Sequence, residues 1–156
     1  MVGVTASPKE IVKHLNSLIA LDYDAAMACQ ASIDRLDGVP DQAQVRSFMA
    51  DHRRHILDLA PFVREYQGEP VAEADRRSIV AKGKVLVMGM LGVHAVLEAL
   101  ESNEETVVEA YHKAWIAPGL PLRVRAMLEQ NLHDDRRHLA WLQQRLGEMT
   151  FASQGR

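Results

Sequence analysis

Three clusters of proline and glycine, at Gly38 and Pro40, at Gly68 and Pro70, and from Pro118 to Pro121, cut this chain into long segments with apolar residues at helical spacing. No stretch between them alternates as a strand does, so helices are the regular element the pattern supports. Ser7 and Pro8 supply a cap and a first-turn proline. From there Ile11, Leu15, Leu18, Asp22, Ala25, Cys29, Ser32 and Leu36 recur in alternating steps of four and three, the seam of a bundle helix. Asp22 therefore falls on the stripe that must be buried.

The first helix is expected over 8–37 and the second over 41–67, capped by Asp41, with Pro61 predicting a kink or local break. A third is expected over 80–115, with Leu86, Met90, Val93, Leu97, Leu100, Val108, Tyr111 and Trp115 on its apolar side. The fourth is expected over 121–146 on Val124, Leu128, Leu132, Leu139 and Leu142, followed by a frayed tail. Four such helices specify an all-α antiparallel four-helix bundle, and 156 residues suffice for one domain spanning the chain. Short joints make helices one and two, and three and four, antiparallel neighbours. The segment after Gly68 is long enough to cross between those two hairpins.

Composition narrows the partners. With 47% hydrophobic and 25% charged residues the chain is too apolar to stay disordered. A net charge of -3, with both signs interspersed, gives no electrostatic case for nucleic acid or an anionic membrane. The most apolar stretch, VLVMGMLGV, is too short to span a bilayer and fits a buried helix. Cys29 stands alone, which leaves no internal disulfide and no cysteine-rich zinc motif. Together with an N-terminus lacking secretory character, this leads to the expectation of a cytoplasmic protein.

The chain writes one cluster twice, DHRRHILDL at 51–59 and DDRRHLAWL at 134–142. On a helix, residues three or four apart share a face, so His52 pairs with His55 and Asp135 with His138. Asp51 with His55, and Asp134 with His138, are the alternative pairs. Each hairpin thus offers acidic candidates on its first helix and a histidine pair on its second. Two cations need several anionic oxygens to offset their charge and a nitrogen each for orientation, which this set supplies. Glu98, Glu101, Glu104 and Glu105 compete for the place on the third helix. Asp135 lies as far beyond Pro121 as Glu101 lies before Trp115, which ranks Glu101 first, whereas Glu104 falls about 4.5 Å from that level. The expected metal ligands are Asp22, His52, His55, Glu101, Asp135 and His138. The competing reading pairs these acids with Arg53, Arg54, Arg136 and Arg137.

IVKHLNSLIALDYDAA at 11–26 resembles the first helix of bacterioferritins and related ferritin-like proteins, with Asp22 at the position of a metal-binding glutamate. HRRHILDLAPFVREYQGEP and DDRRHLAWLQQRL resemble the second and fourth helices of that group. ETVVEAYHKAWIAPGLPLRVRAMLEQNL looks like a bacterial ferritin-like family of undefined function. The resemblance implies a ferritin-like bundle, a di-iron centre with zinc or manganese as alternatives, and oxidation of ferrous iron by oxygen or peroxide. A homodimer is the modest expectation for its assembly. The pattern departs at His52, where the family's Glu-x-x-His has its glutamate, and at Asp135, where aspartate replaces glutamate. The rival function is a metal-free bundle acting in interaction or stress protection.

Overall fold

The computed structural model describes residues 4–73, 87 and 90–155. Helix α1 runs Pro8–Ile33, α2 Val39–Glu65, α3 Val93–Trp115 and α4 Leu122–Gln154, with no strand among the described residues. Helix α1 opens on a reciprocal cap. The Ser7 hydroxyl oxygen accepts from the Glu10 amide, and the Glu10 carboxylate accepts from the Ser7 amide at 2.8 Å.

Several boundaries differ from the sequence pattern, each for a local reason. Helix α1 stops at Ile33 because its end tightens into three-residue bonds, Arg35 N–H to Ser32 O and Leu36 N–H to Ile33 O, which still bury Leu36. Gly38 caps α2, and Asp41 sits in the first turn, where the Arg145 guanidinium of α4 grips both its oxygens at 2.9–3.1 Å. Pro61 does not break α2. The acceptor it leaves without an amide is the carbonyl of Leu57, whose residue is 71% exposed and lies on the solvent side. The third helix begins at Val93, not near residue 80. Gly92, at φ +87°, holds a conformation that ends helical continuity, and positions 80–86, 88 and 89 of the expected helix lie outside the described residues. Helix α4 continues past Leu146 to Gln154, because an established helix adds turns at little cost and Met149 still packs against the core.

Two apolar layers form the interior. One contains Ile11, Leu15 and Ile19 of α1, Leu59 and Val63 of α2, Val107 and Tyr111 of α3, and Leu128 and Leu132 of α4. The other contains Ala28 and Cys29 of α1, Val45 and Phe48 of α2, Leu97 and Leu100 of α3, and Leu142 and Leu146 of α4. Each fully buried leucine or valine contributes roughly 1.5–3 kcal/mol relative to exposure. Along the chain, α1 and α4 pass from the first layer to the second, whereas α2 and α3 pass from the second to the first. Helices α2 and α3 therefore run the same way, and the chain joining them connects opposite ends of the bundle. Asn16 fixes the start of that connection: its Nδ2 donates to Glu69 O and its Oδ1 accepts from Val71 N, each at 2.9 Å. No described helix is long and apolar enough to cross a membrane.

Candidate metal centre

Between the two apolar layers lies a polar one. Asp22, His52, His55, Asp135 and His138 are each 0% exposed and Glu104 is 3% exposed. Every helix contributes: one acid from α1, one from α3, the histidine pair from α2 and an acid with a histidine from α4. Five of the six residues expected from sequence meet here, and Glu101 does not. It is only half-buried, because the core face of α3 follows Leu97, Leu100, Glu104, Val107 and Tyr111 in steps of three and four, which turns Glu101 off that face. Glu104 sits seven residues from both Leu97 and Tyr111, and that phase was the available signal. Matching heights alone selects Glu101, which the structure leaves outside this layer.

The donor atoms form two overlapping groups, Asp22, His52, His55 and Asp135, and His52, Glu104, Asp135 and His138, each with its atoms within 4.8 Å of one another. In the first, Asp22 Oδ1 lies 3.0 Å from His52 Nδ1 and 3.4 Å from His55 Nδ1, and Asp135 Oδ1 lies 3.8 and 3.6 Å from the same nitrogens. In the second, Glu104 Oε2 lies 3.4 Å from His52 Nε2, and Oε1 lies 3.1 Å from His138 Nδ1. Four ligands about 2.1 Å from one cation in tetrahedral array stand roughly 3.4 Å apart, so these separations suit a transition metal. Among the described residues, His52 Nε2, His55 Nδ1 and both oxygens of Asp135 are buried without a hydrogen-bond partner. Buried polar groups are normally paired, so these orphans and the mixed nitrogen and oxygen donors fit a cation.

A second layer explains the duplicated motif. His138 Nε2 lies 2.9 Å from Asp51 of the opposite helix, and His55 Nε2 lies 3.5 Å from Asp134. Each motif's leading aspartate thus holds the histidine of the other motif, an exchange between α2 and α4 that spacing within one helix does not reveal. The arginines close the exchange. Arg54 pairs with Asp51 and Asp134, and Arg137 bonds Asp51 at 2.8 Å and Asp134 at 3.1 Å. Both guanidiniums therefore neutralise the outer aspartates, while the three inner acids face histidines and one phenol. That phenol is Tyr111, assigned from sequence to the apolar stripe, whose hydroxyl donates to Asp22 Oδ2 at 2.5 Å.

The buried acids and histidines shift one another's protonation. Burial works against the ionised form of Glu104, yet His52 and His138 hold its carboxyl down to about 2. Burial likewise opposes ionisation of Asp22, but His52 and His55 draw it below the usual carboxylate range. Asp135 goes the other way. Burial, reinforced by the Asp22 and Glu104 carboxylates against the pull of His52, pushes it well above that range. His52 pays for burial, and the neighbouring Glu104 and Asp22 carboxylates still raise it well above its ordinary value. Cys29 is buried outside both donor groups, and burial pushes its thiol up to about 12. His14, His94, His112 and His133 are likewise outside both groups.

A helix order with two same-direction middle helices and a buried layer of acids and histidines defines a ferritin-like four-helix bundle. Within that class, the chain belongs to the family described as Domain of unknown function (DUF2383), whose model matches residues 10–116. That match covers α1 to α3. The fold is similar to that of the bacterioferritin-related protein from Bacteroides fragilis, a dodecameric thioferritin, at TM-score 0.85 and 16% identity over 97% of this chain and 92% of that one. It is also similar to a two-domain protein of Anabaena variabilis with DJ-1/ThiJ/PfpI-like and ferritin-like domains, at TM-score 0.76 and 13% identity over 95% of this chain and 39% of that one. No curated protein matches the chain at a significant level.

Proposed function

We propose that the protein binds two metal ions in this buried layer, iron first, with zinc and manganese as alternatives. The single observation that carries the reading is the pair of four-residue donor groups sharing His52 and Asp135, with four of their polar atoms buried and unpartnered. Asp22 and His55 would hold one ion, Glu104 and His138 the other, and Asp135 and His52 would lie between them. Asp51 and Asp134 accept from the outer nitrogens of His138 and His55, which keeps Nδ1 of each ring as the inward donor. Tyr111 holds one oxygen of Asp22 and leaves the other facing the histidines.

With iron bound, the centre would supply ferroxidase chemistry: two ferrous ions each give one electron, and with two protons these reduce dioxygen to hydrogen peroxide. Leu59, Val63, Leu97 and Leu100, buried in the layers above and below, keep bulk water from the acids. The metal-free interaction or stress-protection reading leaves the inner acids to the histidines and Tyr111 alone, because Arg54 and Arg137 are engaged by the outer aspartates. We further propose that the chain self-associates, a dimer being the smallest assembly, as its thioferritin neighbour forms a dodecamer. Light scattering of the purified protein counts the copies.

Elemental analysis after purification without added metal tests the metal reading. Stoichiometric metal in the wild type, lost in His55→Ala and His138→Ala, supports it. No metal, together with a melting temperature indifferent to chelator and to added ferrous or zinc ions, returns the metal-free reading. Stopped-flow absorbance of ferrous-loaded protein mixed with oxygen tests the oxidation separately.

A further inference from the structure

The three histidines of the centre are not used alike. His55 turns Nδ1 inward, 3.4 Å from Asp22 and 3.6 Å from Asp135, and Nε2 outward to Asp134 at 3.5 Å. His138 turns Nδ1 inward, 3.1 Å from Glu104, and Nε2 outward to Asp51 at 2.9 Å. Both show one nitrogen to the interior and hand the other to a second-layer carboxylate. Among the described residues His52 has no such carboxylate. Its Nδ1 lies 3.0 Å from Asp22 in the first donor group, and its Nε2 lies 3.4 Å from Glu104 in the second. The ring is 0% exposed and stands between the other two, its centroid 5.8 Å from that of His55 and 5.3 Å from that of His138, at interplanar angles of 82° and 70°.

The geometry points to His52 as a bridging ligand that coordinates one cation through Nδ1 and the other through Nε2, an inference that rests on the two-metal reading above. Once its N–H protons are displaced, the imidazolate ring carries two nitrogen lone pairs in its plane, diverging from each other, so one ring can serve two cations only if one stands at each edge. Here one group of acids stands at each edge. Forming the second nitrogen–metal bond replaces an N–H bond, and the displaced proton leaves to solvent. Asp135 belongs to both donor groups, and both its oxygens are buried and unpartnered among the described residues.

The consequence is a distance. Two metals bridged by carboxylates or a single oxygen lie about 3.5–4 Å apart. Two metals on opposite edges of one imidazole, each with a bond of roughly 2.0–2.1 Å, lie about 6 Å apart. Position 52 therefore sets the spacing of the centre, and the His-x-x-His on α2 widens it relative to an acid-x-x-His.

Crystals of the full-length protein loaded with cobalt(II), and the same crystals of His52→Glu, test this by anomalous difference maps at the cobalt edge. We expect two peaks in the wild type about 6 Å apart, one in line with each ring nitrogen of His52. In His52→Glu the peaks are expected about 2 Å closer together, at carboxylate-bridged spacing. Two wild-type peaks already at about 4 Å, with His52 bound to one cation only, overturn the bridge while leaving the two-metal reading intact. A single peak bound through one nitrogen of His52 overturns the bridge and the nuclearity together. No peak among these six residues removes the metal reading itself. The wild-type measurement decides the matter even if the variant fails to fold.

Discussion

The two halves of the centre share an outer frame and differ inside it. Around both, a histidine from one hairpin is held by an aspartate from the other, and two arginines, Arg54 and Arg137, each pair with both aspartates. The acids from α1 and α3 break this likeness. Asp22 is short, has one oxygen held by Tyr111 at 2.5 Å, and offers only Oδ1 to the histidines. Glu104 is one methylene longer, has no hydroxyl partner among the described residues, and offers one oxygen to His52 and the other to His138. Buried small residues, Ala25, Ala26 and Cys29, follow Asp22 along α1. The repeated motif on α2 and α4 thus builds a symmetric cage, and α1 and α3 make its two ends chemically distinct. The acid of the first half is fixed by a phenol, and that of the second by histidines alone.

That contrast can be broken most severely at the shared acid. Asp135→Asn removes an anionic ligand from both halves at once, so we expect metal content to fall from two ions per chain toward none, read by elemental analysis. Binding of each ion at one hundred times its Kd stabilises the fold by about 2.7 kcal/mol, so the variant should also lose the gain in melting temperature that metal gives the wild type. Tyr111→Phe acts on one half only. It frees Asp22 Oδ2 without touching Glu104, and affinity for one of the two ions should fall about 10- to 100-fold with the other unchanged, as seen in a two-phase calorimetric titration.

The outer frame offers a finer comparison. Asp51→Asn and Asp134→Asn each remove one carboxylate behind a histidine, and they should weaken opposite halves, each by about 10-fold. Asp51→Asn is expected to have the larger effect, because its bond to His138 is 2.9 Å whereas that of Asp134 to His55 is 3.5 Å. Equal losses at both ions from either variant would show that the halves are not separable. The smallest effect concerns acid. Partial burial works against charge on Asp51, yet His138 and Arg137 hold its carboxyl down to about 2, as His52 and His138 do for Glu104 despite its full burial. These folded values lie below the unfolded ones, so their stabilisation is present above about pH 4 and is lost as pH falls toward 2. Metal-free protein should therefore lose melting temperature over that window, and Asp51→Asn should flatten the loss.

Much of this architecture was legible in the sequence because it follows from period and punctuation. The stripe through Ile11, Leu15 and Leu18 placed Asp22 in the core, and the doubled His and Asp motif placed His52, His55, Asp135 and His138 at one level. Where the reading failed, it used the wrong coordinate. Glu101 was chosen by height, while the rotational phase set by Leu97 and Tyr111 selects Glu104. Tyr111 read as an apolar residue because its ring is one; the role of its hydroxyl depends on α1 lying opposite. The work of Asp51 and Asp134 depends on which helices face each other, which spacing within one helix cannot encode. Helix ends were missed for similar reasons, since the backbone turn at Gly92 and the packing of Met149 are tertiary outcomes.

The central claim is that six buried acids and histidines form a site for two cations rather than a proton-balanced polar core. Isothermal titration of metal-stripped wild-type protein with zinc(II), a redox-silent probe, tests it most directly. The account predicts saturation at two ions per chain, with the melting temperature rising as they bind. Titration heats no larger than those of dilution, with an unchanged melting temperature, would contradict it.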